Sequence, residues 1–136
     1  MKIYCLIDFK IEFDKLKSIL SYHTLEKDII KHFFDKSYSD LYSGMRLNNS
    51  CTTPYIKKRI RSIGGFPFYF LYIIKDEKLY LLYVHPRTGT LIPDTKSDEA
   101  KAHLYKRAID AIENNKFFEL KLNDEKNHIS FNLNFF

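Results

Sequence analysis

The chain has 136 residues, 45% of them hydrophobic and 29% charged, with four glycines, four prolines and a formal net charge of +5. That composition provides for one domain with a real apolar core and excludes a disordered, collagen-like or low-complexity segment. The first apolar run is broken by Asp8 and lacks a small-residue cleavage site. Neither a membrane span nor a signal peptide is predicted from it, and a cytoplasmic protein is expected.

The charge is unevenly spread. Residues 1–53 hold eight Lys/Arg against seven Asp/Glu, and residues 91–136 hold seven against eight. Residues 54–90 hold seven against two, so the whole excess sits in the middle of the chain. A local excess of this kind is the footprint of a polyanion-binding surface, although a merely solvated face would look the same. Cys5 and Cys51 have no CxxC spacing; they could pair with each other, but in a reducing cytoplasm two buried free thiols are expected. His23, His32, His103 and His128 are scattered, no carboxylate cluster accompanies them, and Gly64-Gly65 suits a hairpin turn. No metal and no cofactor are therefore predicted.

In chain order, residues 2–7 (KIYCLI) suit a short strand. Phe9, Phe13, Leu16, Ile19 and Leu20 recur at helical spacing over residues 9–20. Thr24 is placed to cap a second helix, whose stripe is Leu25, Ile29, Ile30, Phe33 and Phe34. The two helices make a helical hairpin, and the turn-rich residues 37–50 are expected to be loop. Strands follow at 54–62, 66–75 and 79–85, joined by Ser62-Ile63-Gly64-Gly65 and Lys75-Asp76-Glu77-Lys78. Links this short join antiparallel neighbours, so the segment forms a meander. Residues 97–115 predict a helix capped by Ser97, with Ala100, Leu104, Ala108 and Ile112 on one face. Residues 128–136 alternate Ile129, Phe131, Leu133 and Phe135 with polar positions, as in a strand added to this chain or to a partner. The predicted class is α+β in one domain: a helical hairpin on a curved antiparallel meander, then a C-terminal extension from about residue 91 with a helix and a final strand.

Alternation along the 54–62 strand puts Tyr55, Lys57, Arg59 and Arg61 on one face and Ile56, Lys58 and Ile60 on the other. The apolar face should meet the helices, with Lys58 snorkelling from its edge. The other face would present cations about 7 Å apart, the repeat of alternate strand residues and close to the spacing of successive phosphates. Like charges in a row repel and add nothing to folding.

The stretch YIKKRIRSIGGFPFYFLYIIKDEKLYLLYVHPRTG, residues 55–89, resembles the RelE/ParE-like toxins of bacterial toxin–antitoxin pairs. Lys57, Arg59 and Arg61 look like that family's alternating strand cations, Gly65-Phe66 like the start of its next strand, and Arg87 like its terminal arginine. Pro67 stands where an arginine is expected, and the TGTLIPD that follows Arg87 holds no counterpart of the family's base-stacking tyrosine. The resemblance implies a cytoplasmic mRNA endonuclease that drives a 2′-hydroxyl onto its adjacent phosphate without metal. It further implies a cognate antitoxin as partner and RNA, in the ribosome or free, as substrate. Lys57, Arg59, His85 and Arg87 are then the catalytic candidates, His85 because an imidazole titrates near neutrality. Lys58, Arg61 and Tyr69 are the RNA-binding candidates. For His85 the bland alternative is a strand-end histidine bonded to a loop. Two other functions stay open: a ParE-like gyrase inhibitor that is not an enzyme, and an RNA-binding relative without activity. A homodimer through the C-terminal tail is open as well.

Overall fold

The computed structural model describes residues 1–86 and 98–134. The chain runs β1 (Lys2–Cys5), α1 (Ile7–Lys17), a 3-10 turn (Leu20–Tyr22), α2 (Leu25–Phe33), α3 (Tyr38–Tyr42) and β2 (Met45–Arg46). It continues through β3 (Tyr55–Arg61), β4 (Pro67–Lys75), β5 (Lys78–Pro86), α4 (Asp98–Glu113), β6 (Phe117–Leu122) and β7 (Ile129–Asn134). The seven strands among the described residues belong to one sheet, in the order β2-β3-β4-β5-β1-β6-β7. The fold is α+β, and β3, β4 and β5 form the expected antiparallel meander.

Several local expectations are corrected. The first helix ends at Lys17, and Leu20 falls in the 3-10 turn, 85% exposed. Residues 37–50 contain α3, whose start is capped by the Ser37 hydroxyl accepting the Asp40 N–H. Thr24 occupies the N-cap of α2 but makes no side-chain cap bond, and its hydroxyl donates to Asp28 at 3.2 Å. Ser97 lies outside the described residues. Cys5 is buried and free as expected, whereas Cys51 is exposed, in the turn that leads into β3.

The strand at 117–122 was not separated from the tail by its sequence, and it decides the topology. β1 lies parallel to β5 on one side and antiparallel to β6 on the other, so the first strand is interior. The last strand, β7, joins this chain's own sheet through β6, with Leu120 opposite Phe131. Glu26 of α2 fixes it there by accepting the Ile129 N–H at 3.0 Å.

The sheet is covered on both sides. On one face α1 and α2 bury Phe9, Phe13, Leu25, Ile29 and Phe33 against Ile56, Ile60, Phe68, Phe70 and Tyr72. The Tyr72 hydroxyl is deeply buried and donates to the Leu41 carbonyl at 2.7 Å, tying α3 to the sheet. On the opposite face α4 lays Leu104, Ala108 and Ile112 on Tyr4, Tyr55, Leu71, Ile73 and Tyr80. Arg107 of α4 pairs with Asp8 at 2.7 Å, joining that helix to the start of α1. The β3 face that carries the cations lies under α4 at its Tyr55 end.

Candidate nucleic-acid interface

β3 sorts its side chains by face as alternation requires. Tyr55, Ile56 and Ile60 are buried, Lys57 and Lys58 are half-buried, and Arg59 and Arg61 are exposed. At the Tyr55 end the sheet lies under α4, and the Tyr55 hydroxyl donates to the Lys101 carbonyl at 3.1 Å. Burial pushes that phenol's pKa up. Beyond Lys57, toward the β3–β4 turn, the same face is uncovered by α4, and there the site begins.

Strand register brings distant residues together. Arg59 stands opposite Tyr69 on β4, and Tyr69 stands opposite His85 on β5. Directly paired residues share a face, so the three form one cross-strand row. Lys57 is one alternate step to one side, and its ammonium lies 4.7 Å from the centre of the Tyr69 ring. That contact is a cation–π interaction, and it covers one face of the ring. A base can therefore stack on Tyr69 only from its other face or by displacing Lys57. Arg61 is one step to the other side and pairs with Pro67. Arg59, Arg61, Gly65 and Pro67 line an open cleft of about 510 Å³. Neither arginine forms an ion pair with any described acidic residue.

His85 is half-buried near the end of β5, and its ring stacks on Tyr83 with centroids 6.2 Å apart and planes at 13°. Tyr83 was missed by sequence reasoning. The signal for it was plain alternation, since residues 83 and 85 must share a face. Burial, and then the nearby carboxylates of Glu12 and Asp8, raise the Tyr83 pKa.

Two candidates do not join this group. Lys58 is on the helical side, where its ammonium donates to the Asp40 carbonyl at 3.0 Å and the Ser43 hydroxyl at 3.2 Å. Burial lowers its pKa, partly opposed by Asp40. It snorkels as expected and is therefore aimed away from the cleft, which removes it from the RNA-contacting set. Arg87 lies outside the described residues. Pro67, which replaces an arginine in the resemblance, is part of the cleft wall.

The cations have a second physical use. β2 pairs only with Ile56 and Lys57, so no described strand covers the outer side of β3 from Lys58 to Arg61. Charged residues on such an edge keep it from pairing with another chain. Edge protection accounts for charge at these positions. It does not account for an aromatic and an imidazole in register with Arg59. Among the described residues, no three His, Cys, Asp or Glu side chains gather where a metal ion could sit, and no helix is long and apolar enough to cross a membrane. Compared with family models, curated proteins and solved structures, the chain matches none.

Proposed function

We propose that this chain is a RelE-like toxin, an RNA endonuclease of the cytoplasm that is held in check by a cognate antitoxin protein. The observation that carries the reading is the Arg59–Tyr69–His85 row, flanked by Lys57 and Arg61 beside an open cleft. It combines positive charge for a phosphate with an imidazole in register beside it, on one sheet surface.

The chemistry follows from these groups. A base takes the proton of the 2′-hydroxyl as that oxygen attacks the adjacent phosphorus. The bond to the 5′-oxygen breaks, an acid returns a proton to it, and a 2′,3′-cyclic phosphate and a 5′-hydroxyl remain. His85 is the candidate for one of the two proton transfers. Arg59 and Arg61 offer bidentate guanidinium contacts to the pentavalent phosphate, and Lys57 offers a point charge. Arg87 is retained as a further phosphate ligand from the sequence alone.

A second reading is favoured by one feature: Pro67 in the cleft wall, where the resemblance expects a cation. In that reading the protein binds RNA without cutting it. Induced expression with mapping of transcript ends separates the two. The wild type should arrest growth and create new 5′-hydroxyl ends, while Arg59→Ala and His85→Gln should do neither. Arg59→Ala should stay within about 0.5 kcal/mol of wild-type stability, as expected of an exposed side chain with no ion pair among the described residues. Salt-dependent RNA binding without new ends supports the second reading. Full toxicity of both variants would mean that the assigned site is wrong.

A further inference from the structure

The turn between β3 and β4 is held from beneath by groups that the proposed chemistry does not use. Asp28 of α2 is wholly buried, and Thr24 and Ser62 are nearly so. One carboxylate oxygen of Asp28 accepts the Ile63 N–H at 2.8 Å, and the other accepts the Thr24 hydroxyl at 3.2 Å. The Thr24 and Ser62 hydroxyl oxygens are 3.1 Å apart, and the Ser62 hydroxyl accepts the Gly64 N–H at 2.8 Å.

Donor counting fixes the direction of this chain. The Thr24 hydroxyl donates to Asp28, so its single proton points there. Thr24 must then accept the Ser62 proton, and Ser62 must accept from the Gly64 amide. Every proton in the relay runs from the turn toward Asp28. The turn is closed further by the Ser62 N–H donating to the Phe66 carbonyl at 2.7 Å and the Gly65 N–H donating to the Ser62 carbonyl at 2.9 Å. Gly65 holds φ at +92°, a value that other residues rarely adopt. The outer surface of the same turn carries the cleft lining: Arg61 directly before Ser62, then Gly65 and Pro67.

We infer that Asp28 is a positioning residue for the anion cleft: through Thr24, Ser62 and the Ile63 amide it locks the turn that aims Arg61 at a bound phosphate. The inference deepens the function proposed above and rests on it only in taking RNA as the natural anion. Replacing Asp28 by Asn keeps the shape and the acceptor for Ile63 but places an N–H₂ donor toward Thr24. The relay then has one hydroxyl proton too many, the turn loosens, and Arg61 loses its aim.

The test compares wild type, Asp28→Asn, Arg61→Ala and the double variant, each as the full chain. Two anions serve as probes, a single-stranded oligouridylate and inorganic tripolyphosphate. Asp28→Asn should weaken both by about tenfold, the worth of one charge-assisted bond. The slope of log affinity against log salt for the oligouridylate should fall by about 0.7, the value for one lost phosphate contact on a single strand. Simple loss of folded protein lowers affinity without changing that slope. In the Arg61→Ala background Asp28→Asn should add nothing. Amide exchange should quicken at Ile63 and Gly64 and stay unchanged along the β3–β4 ladder. Should Asp28→Asn fail to fold, Ser62→Ala, which removes the middle of the relay, takes its place in every measurement. An unchanged slope, additive losses in the double variant, or uniform exchange would overturn the inference, as would a wild type that binds no tripolyphosphate. A wild type that binds tripolyphosphate but not oligouridylate would overturn RNA as the ligand and leave the positioning role to be read from the phosphate and exchange data.

Discussion

The same three strands, β3 to β5, present two unlike surfaces, and the contrast explains how this molecule divides its work. On the α1–α2 side, the core positions of β3 and β4, Ile56, Ile60, Phe68, Phe70 and Tyr72, are filled and nearly dry. On the other side the surface changes character midway. Tyr55, Leu71 and Ile73 lie under α4, whereas Arg59, Arg61 and Tyr69 lie beyond it. The core positions of the first face serve stability. The other splits between stability and recognition, with Lys57 over Tyr69 at the border.

That division is open to measurement. The largest effect is expected from Phe70→Ala, since its ring is wholly buried and meets Phe33 with centroids 4.9 Å apart. It should cost about 3–5 kcal/mol in denaturant unfolding, the usual loss for a core aromatic. RNA affinity of the remaining folded fraction should be unchanged, because this residue faces away from the cleft. A smaller effect is expected from Tyr55→Phe, which removes the bond to the Lys101 carbonyl. It should cost about 1 kcal/mol and leave anion binding intact. A larger loss of binding than of stability would show that the α4-covered half also serves the cleft.

The smallest effect concerns pH on the helical side. Burial, and then Lys31, lower the pKa of His32 from its ordinary 6.5. The unfolded chain therefore takes up this proton at a higher pH than the folded one. Stability from this group is present above 6.5 and is lost as pH falls from 6.5 toward the lowered folded value. His32→Gln should remove that part of the acid dependence, read as thermal unfolding at a series of pH values, while the pH dependence of RNA binding stays as in wild type. Transfer of the effect to binding would place His32 within reach of the ligand.

The sequence was a good guide wherever the signal was local. Helical spacing located the Phe9, Phe13, Leu16 stripe and the Leu25, Ile29, Phe33 stripe, and alternation set the two faces of β3 correctly, including the outward reach of Lys58. Short links named the meander. Its failures share one cause. A strand such as β6 has a half-buried pattern of only six residues, and nothing near it in sequence says that it pairs with Cys5, Tyr4 and Ile3. The cover of α4 over Tyr55 joins residues 46 positions apart.

For the site the same line can be drawn. Composition and alternation were enough to put Lys57, Arg59 and Arg61 on one side of one strand, because the geometry of a strand has a period of two whatever surrounds it. Which aromatic and which histidine stand beside them depended on register between strands, and register is set by turns, a bulge between Leu71 and Tyr72, and the fit of two cores. The buried hold of Asp28 on the β3–β4 turn spans 35 positions and has no period at all. Contacts of that range are chosen by packing of the whole chain, so only the folded molecule could reveal them.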